Sequence, residues 1–284
     1  MFITQMFHSL RKGAKRQNRG KMKKYLFIYK TTLMENLQYI VNIFLSFISF
    51  LLIIFIFLNL WQYIYSDSSN IIEGYSMTQM IWYVILTEIM WFGNRNGLLT
   101  NQISSDIKSG SIAYGLNKPY NYLYYTVAKH FGDVTIKLFL YLLVGILMGL
   151  LFAGRLTSFR FQYLPFIAIA FILGLFVNAL IRIAISISSF WIEDAKPIHW
   201  MYDKLILVIG TLFPVEMFPI WLQPVIKCSP IFVITYGPAK LIIDFSMEMF
   251  FQVVFAQIIY IVIVVTILVL LYQRGVKRLN VNGG

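Results

Sequence analysis

The chain has 284 residues, of which 59% are hydrophobic and 13% charged, and its mean hydropathy is +0.72. This composition excludes an ordinary soluble domain and indicates an integral membrane protein. The net charge of +12 does not indicate nucleic-acid binding, because nine Lys or Arg lie within residues 1–30 and the rest of the excess is Arg274, Lys277 and Arg278. Basic flanks of apolar spans stay in the cytoplasm, so both termini are predicted to be cytoplasmic and the number of crossings even.

Residues 1–21 are predicted to be a flexible basic extension, with Met22 as an alternative natural start. A bilayer core of about 30 Å needs about 20 apolar residues per helix. The apolar runs therefore predict an all-α membrane protein with one transmembrane domain at 22–279 and a short tail at 280–284. Six spans are predicted, at 38–64, 75–93, 130–153, 163–191, about 198–213 and 249–272.

The stretch at 195–248 differs from the other apolar regions because prolines interrupt it repeatedly. Proline removes a backbone donor and breaks helices, and irregular backbone is not tolerated where it faces lipid. We therefore predict two short helices, "FPIWLQPVIK" and "TYGPAKLIIDF", that enter the outer leaflet and return between spans five and six. The prolines concerned are Pro214, Pro219, Pro224, Pro230 and Pro238.

The charges of the loops agree with this topology. The loop at 94–129 carries four basic residues against Asp106 alone and is predicted to be cytoplasmic, whereas the loop after span one is acidic and is predicted to be external. Arg155 and Arg160 oppose the assignment but are outnumbered.

The cytoplasmic loop contains a short amphipathic pattern. Leu99, Ile103 and Ile107 recur every four residues on one helical face, and Gly110 occupies the position where glycine commonly ends a helix. Such a helix has two interpretations: it binds a soluble partner in a groove, or it rests on the lipid headgroups.

The segment "DIKSGSIAYGLNKP" resembles the D-x-x-x-G-x-[IL]-x-x-x-L-x-[KR]-P pattern in the first cytoplasmic loop of ABC-2 type permeases, the membrane subunits of many bacterial ABC transporters. The region from "FWIEDAKP" to "YGPAKLI" is similar to the later part of the same proteins. The resemblance covers residues 22–279 and departs from the usual pattern in having "LNKP" where many relatives have "LLRP".

The resemblance implies the permease subunit of an ATP-driven exporter in the bacterial cytoplasmic membrane, acting on a hydrophobic or amphipathic substrate. "KKYLFIYKTTLMENL" would be an N-terminal interfacial helix, and residues 98–110 a coupling helix seated in a cleft of the ATP-binding subunit. In that reading the anchors are Leu99, Ile103 and Ile107, the polar contacts are Asp106 and Lys108, and Gly110 ends the helix.

The chain itself is predicted to be neither an enzyme nor a cofactor or metal binder. The closest approach to a phosphate-binding loop, "GAKRQNRGKM", has its glycines too far apart and lacks the hydroxyl residue after the lysine. ATP and magnesium are therefore expected on a separate ATPase subunit. A second permease is expected as well, either another copy or a related chain.

Ionisable residues at bilayer depth are candidates for function. Glu88 is predicted to form a polar contact on the substrate route or an ion pair with Arg95 or Arg182. Asp133 and Lys137, four residues apart, are predicted to pair locally. The proline-broken segment is the predicted outer gate, with Glu216, Tyr236 and Lys240 among its polar groups.

Two other classes of protein remain as alternatives. The first is a secondary transporter or channel that works without ATP, which usually shows internal repeats and broken helices in both halves. Here only the second half is broken. The second is a membrane enzyme or an assembly scaffold, and the sequence has no catalytic cluster in its favour.

Overall fold

The structure, a computed structural model, describes residues 22–38, 40–65, 70–94, 97–192 and 194–282. The predicted extension at 1–21 and the predicted ion-pair partner Arg95 lie outside these residues. The described chain is mostly helical, and its one β-structure is a two-stranded antiparallel hairpin of β1 (Ile71–Ile72) and β2 (Tyr75–Ser76).

Eleven α-helices follow in chain order through the described residues. They are α1 (22–38), α2 (Ile40–Ile64), α3 (Met77–Gly93), α4 (Ile103–Lys108), α5 (Ile112–Leu116), α6 (Tyr122–Phe152), α7 (Leu164–Ile187), α8 (Lys196–Leu205), α9 (Gln223–Lys227), α10 (Gly237–Ile243) and α11 (Met247–Asn282). Three π-helical segments extend helices, at Leu98–Gln102 before α4, Ile206–Leu212 after α8 and Phe232–Tyr236 before α10. Single 3-10 turns lie at Phe161–Tyr163, Ser188–Phe190 and Val215–Met217.

Four helices of the described chain are long and apolar enough to cross a membrane, at Phe47–Ile64, Tyr122–Phe152, Phe161–Phe190 and Met247–Arg278. They correspond to the first, third, fourth and last predicted spans. The second predicted span forms α3, which has 17 residues. The fifth forms α8 with its π-helical extension. Both are helical, as predicted, but are shorter than the four long helices.

The bundle has two distinct ends. At one end, which we call the loop end, the residue 97–121 loop meets α1 and the C-terminal part of α11. The Lys24 ammonium donates to the Pro119 carbonyl (3.4 Å), the Asn121 amide donates to the Tyr25 hydroxyl (2.9 Å), and the rings of Tyr122 and Tyr272 stack 6.3 Å apart. Helix α1 and the C-terminal part of α11 therefore lie at the same end of the bundle as this loop.

The opposite end, which we call the hairpin end, gathers the β-hairpin, the loop after α6 and the start of α11. The indole N–H of Trp82 donates to the Gly154 carbonyl (2.9 Å), and the Tyr163 and Phe245 rings stack at 4.0 Å. The Tyr65 hydroxyl at the end of α2 donates to the Tyr75 carbonyl (2.8 Å). The end of α2, the loop after α6 and the start of α11 thus lie at the same end, as expected if successive long helices run in alternate directions through the bundle.

Helix α3 lies at the centre of the bundle, because nearly all of its side chains from Met80 to Met90 are buried. It contacts α2, α6, α10 and the π-helical segment after α8. Its N-terminus is closed by a capping box between Ser76 and Gln79, which satisfies otherwise unpaired backbone amides.

Helix α1 approaches α6 closely at Gly132. A Cβ at this glycine would lie 2.6 Å from the Tyr29 carbonyl oxygen, so only glycine permits the contact without a shift of the backbone. The Tyr29 hydroxyl also donates to Thr135 Oγ1 (3.1 Å). These contacts fix α1 along the loop-end part of α6.

The chain between Phe213 and Asp244 descends into the bundle and returns. Ile231 packs with Tyr202 and Ile206 of the α8 segment, and the Tyr260 hydroxyl of α11 donates to the Cys228 carbonyl. The twelve-residue helical stretch Phe232–Ile243 then leads back to the hairpin end. Two short helices were predicted in this region, and α9 and the Phe232–Ile243 stretch are helical within or overlapping the predicted segments; their entry into the outer leaflet stays a prediction.

Candidate functional site

The loop between α3 and α6 forms a compact helical unit at the loop end. A π-helical turn, Leu98–Gln102, runs directly into α4. Gly110 follows with φ +74°, the left-handed conformation that glycine adopts without strain. The predicted helix and its terminating glycine are therefore confirmed, although the first turn is wider than an α-helix.

The apolar face of this loop is covered by the chain's own helices. Leu99, Ile103 and Ile107 are 1%, 0% and 8% exposed and belong to one apolar cluster. The residues of α7 and α11 that complete the cluster are Ala179, Leu180, Ile183, Ile187, Val264 and Leu268. The expectation that the three apolar side chains contact a partner directly is thus corrected: they hold the loop against the bundle, because long-range packing covers the face that periodicity identifies.

The opposite face of the loop is polar and accessible. Its exposed residues are Asn101, Gln102, Ser105, Lys108 and Ser109. The Lys108 ammonium lies 3.9 Å from the Asp194 carboxylate, in the segment between α7 and α8. The Asp106 carboxylate is half-buried and accepts a hydrogen bond from the Ser111 hydroxyl (3.3 Å). A docking surface on this loop therefore consists of polar side chains on a firmly packed base.

A polar junction connects the loop with α7 and α8. The Ser186 hydroxyl of α7 donates to the Leu99 carbonyl, and its oxygen lies 2.9 Å from Nε2 of His199 in α8. Both side chains are buried, at 0% and 1% exposed. Ser186 thus links the first turn of the loop to two helices that run through the bundle.

Arg182 lies one turn before Ser186 and is 3% exposed. Its guanidinium contacts the Asp203 carboxylate at 2.5 Å, and its Nε donates to Asn178 Oδ1 (3.2 Å), which also accepts from the Tyr202 hydroxyl (3.0 Å). The predicted pairing of Arg182 with Glu88 is therefore wrong, because Asp203 on the neighbouring α8 takes that place.

The other ionisable groups at depth divide into a paired and an unpaired set. The Lys137 ammonium lies 2.8 Å from the Asp133 carboxylate, which confirms the local pair. Nε2 of His130 lies 2.8 Å from Asn94 Oδ1. Glu88, by contrast, is fully buried and neither of its carboxylate oxygens has a hydrogen-bond partner among the described residues.

At the hairpin end, Glu216 brings together groups from three segments. Its carboxylate accepts hydrogen bonds from the hydroxyls of Tyr75 (3.0 Å) and Tyr236 (2.5 Å), and the Lys240 ammonium lies 3.9 Å away. The same ammonium lies 4.3 Å from the centroid of the Tyr75 ring, a cation–π distance. The structure thus joins Glu216, Tyr236 and Lys240 of the predicted gate and adds Tyr75, which the sequence did not indicate.

The five prolines of this region stand at the breaks in its helices. Pro224 and Pro238 occupy the first turns of α9 and α10, where a missing amide is tolerated. Pro214 precedes the Val215–Met217 turn, and the Pro219 carbonyl accepts from the Leu222 amide (2.8 Å). Pro230 is the first residue of the helical stretch that continues through Ile231. The prolines therefore divide the segment, as predicted.

Replacing Glu216 by Gln is expected to loosen the hairpin end. The amide keeps the size of the side chain and one acceptor oxygen, but it removes the charge that holds Lys240 and the second tyrosine hydroxyl. Because a charge-assisted hydrogen bond contributes about 1.5–3 kcal/mol, amide hydrogen exchange of residues 232–243 should rise about tenfold or more. Exchange mass spectrometry measures this, with Glu248→Gln, an exposed glutamate at the same end, as the control. Unchanged exchange in Glu216→Gln would show that the cluster does not restrain the segment.

The described helices define a membrane-embedded bundle with one compact helical loop presented at its loop end. A family model described as "ABC-2 family transporter protein" matches residues 44–283, which is most of the chain. The chain belongs to the ABC-2 transporter family, whose members are membrane permeases that associate with an ABC ATPase subunit and are not themselves catalytic. No curated protein matches the chain.

Sequence reasoning missed the residues that connect the helices to one another. Asp203, Asn178, Ser186 and His199 all pair across the junction of α7 and α8, and Tyr75 reaches Glu216 from a distant loop. The available signal was the presence of polar residues within apolar runs, such as Asn178 and Ser186 in α7, which predicts interhelical bonding without naming the partner.

Proposed function

We propose that this chain is the permease subunit of an ATP-driven exporter in a bacterial cytoplasmic membrane, moving a hydrophobic or amphipathic substrate. ATP and magnesium bind to a separate ATPase subunit. The observation that carries the proposal is the loop at 97–121: its apolar side is locked into α7 and α11, while its polar side is free to bind a partner. The family of the chain supplies the nature of that partner.

The orientation follows from charge. The loop end carries the basic groups Lys24, Lys108, Lys118, Arg274 and Lys277, and segments of this kind remain in the cytoplasm. The loop end, with the N-terminal helix and the end of α11, is therefore cytoplasmic in the proposal, and α1 lies along the inner membrane surface. The hairpin end is external.

Six crossings are proposed, although two helices are short. Helix α3 begins beside the β-hairpin and ends at the loop, so it runs from one end of the bundle to the other. The α8 segment begins near the contact of Lys108 with Asp194 and ends at Phe213, whose ring lies 6.0 Å from that of Trp61 at the end of α2. Short helices are tolerated there because surrounding helices, rather than lipid, cover their ends.

The loop transmits the movement of the ATPase to the bundle in this proposal. Closure of two ATPase subunits on ATP moves the polar face of the loop as a rigid element. The Leu99 carbonyl, bonded to Ser186 and next to His199, carries that movement to α7 and α8. The α8 segment continues into the proline-broken region held by Glu216, so the proposed outer gate is the next element in the chain.

Two permeases are needed to enclose a pathway in this proposal, since the helices that pack around α3 leave no wide channel among the described residues. The second permease is another copy of this chain or a related one. The pathway is expected between the two bundles, where apolar helix faces suit a hydrophobic or amphipathic substrate.

The test is to purify the complex from cells that express the permease with the ATPase encoded next to it. Ser105→Trp places a bulky ring in the exposed polar face without touching the buried cluster. We expect the amount of ATPase retained on the permease to fall about tenfold, since a clash at the centre of an interface costs more than about 1.4 kcal/mol. Gln252→Trp is the matched control. Gln252 is exposed and lies near the start of α11, away from the loop, so this variant should retain the ATPase.

Full retention of the ATPase by Ser105→Trp would remove the loop from the interface. Transport that persists in cells lacking every candidate ATPase would instead favour the alternative, an ATP-independent secondary transporter or channel.

A further inference from the structure

Glu88 has no structural role that the described residues account for. Its side chain is fully buried in α3, and both carboxylate oxygens lack a hydrogen-bond partner among these residues. Arg182, the buried basic residue of α7, is engaged by Asp203 and Asn178. An ionisable group at bilayer depth is unfavourable by several kcal/mol, and no contact with another described residue offsets that cost for Glu88.

Glu88 lies on the side of α3 that faces α2. Ile81, Val84 and Ile85 stand seven, four and three residues before it, and residues at these spacings share one helical face. These side chains form the lining of the contact between α2 and α3, which we call the α2–α3 seam. The seam is lined by Ile54, Phe57, Leu58, Trp61, Ile81, Val84 and Ile85. In this structure it has no space for a water molecule.

A second unpaired polar group lies in the same seam. The indole Nε1 of Trp61 is buried and has no hydrogen-bond partner among the described residues. Trp61 and Ile81 line the seam together, and Glu88 lies about 10 Å further along α3, given seven residues at 1.5 Å each. The seam therefore combines an acceptor at one end, a donor at the other and apolar walls between them, the arrangement expected of a site for an amphipathic molecule.

The seam is placed where it can open to the membrane. Helix α2 packs on α3 with one face, while side chains on its other face, including Leu52, Phe55 and Ile56, are more than half exposed. The seven lining side chains meet mainly by apolar packing, and lipid chains replace such contacts at little cost. Separation of α2 from α3 therefore requires no large loss of polar interactions along the seam.

We propose that the α2–α3 seam binds an amphipathic primary amine, which is the substrate class of the transporter; this proposal rests on the proposed function above. The Glu88 carboxylate pairs with the ammonium group, the apolar part lies along Ile54 and Ile81, and the Trp61 N–H donates to an acceptor about 10 Å from the ammonium. The closed seam is the unloaded state of the permease.

The experiment measures binding to the purified permease without an ATPase, so that its outcome is independent of the docking test. The permease is reconstituted in phosphatidylglycerol nanodiscs and titrated with dodecylamine or with dodecanol, which has the same chain and no charge. Glu88→Gln keeps the size of the side chain and removes the charge, and Glu248→Gln, at an exposed site, is its control. We expect dodecylamine to bind about 30-fold more weakly to Glu88→Gln, because loss of one partner of a buried charge pair has effects of this order.

Dodecanol binding should change less than twofold in the same variant, and Glu248→Gln should bind both probes like the original chain. Equal affinity of Glu88→Gln and the original chain for dodecylamine would overturn the proposal. So would a lower thermal stability of the ligand-free Glu88→Gln variant, because the carboxylate would then have a structural partner.

A second variant keeps the test decisive if Glu88→Gln does not fold. Trp61→Phe retains an aromatic ring and removes the N–H, so a probe with an acceptor about 10 Å from its amine should bind several-fold more weakly, whereas dodecylamine should not. No difference between these two probes would contradict the two-ended site.

The source of the amine is decided by changing the lipid. If phosphatidylethanolamine in the nanodiscs competes with dodecylamine, the ligand is an amine-bearing membrane lipid. If it does not compete, the ligand is a free amphipathic amine. In both cases the carboxylate dependence must remain, and its loss would overturn the proposal.

Discussion

Replacement of Asp203 by Asn is expected to lower the free energy of unfolding by about 3 kcal/mol, because it leaves the Arg182 charge buried without its counter-ion. Arg182 is 3% exposed, so water does not replace the lost carboxylate. The remaining contacts, from Asn178 and the Tyr202 ring, do not neutralise the guanidinium. Thermal or denaturant unfolding of the purified permease in detergent measures the change.

Asp133→Asn is the matched control, since it removes the same group from a pair that is about one-fifth exposed and lies within one helix. Its effect should stay below about 1 kcal/mol. The double variant Arg182→Met with Asp203→Leu should recover most of the lost stability, because it removes both charges together. Equal losses in Asp203→Asn and Asp133→Asn would mean that the Arg182 pair is no more important than a surface pair.

The helices were predictable because their signal is local. A run of about 20 apolar residues makes a helix in a membrane whatever its neighbours are, since every backbone group must be bonded within the segment. The breaks at Pro214, Pro224 and Pro238 are local in the same sense, and so is the left-handed glycine at Gly110. The lengths were less predictable: α11 continues to Asn282, beyond its apolar run, and Gly275 in this continuation lies close against the Phe190 ring.

The partners of side chains were not predictable, because they depend on which helices meet. The sequence argument paired Glu88 with Arg95 or Arg182 and did not consider Asp203, which pairs with Arg182 because α8 packs on α7. The loop gives the same lesson. Periodicity identifies the apolar face of Leu99, Ile103 and Ile107, but the residues that cover it, from Ala179 to Leu268, lie about 80 to 170 positions after Leu99 in the chain.

The corrected position of these three residues changes how the loop is expected to work. A helix anchored by its apolar face to a partner would be free to move relative to its own bundle. A helix anchored to α7 and α11, with only polar groups outside, moves together with them. In the proposed transporter the loop is therefore a part of the bundle that the ATPase grips, so a displacement at Ser105 or Lys108 reaches α7 without an intervening hinge.

Ile103→Ala is expected to lower the stability of the loop by about 3 kcal/mol and, in consequence, to release the ATPase. Ile103 is fully buried at the centre of the cluster that joins the loop to α7 and α11. Truncation of a buried isoleucine to alanine removes about 2–5 kcal/mol, and here the loss falls on the contact that holds the docking surface in place. Amide exchange of residues 99–108 should increase strongly, and the ATPase retained on the purified permease should fall. Ile107→Ala should act in the same direction.

Two further variants separate this mechanism from direct contact with the partner. Ile198→Ala makes the same truncation at an isoleucine of α8 that is 40% exposed, and it should change neither exchange nor retention appreciably. Ile103→Val removes one methyl group, costs about 1 kcal/mol and should give an intermediate loss of retention. If Ile103→Ala released the ATPase while exchange in the loop stayed the same, the side chain would have to contact the partner itself. Because the described packing encloses Ile103 completely, we expect the loop to loosen in every Ile103 variant that releases the ATPase.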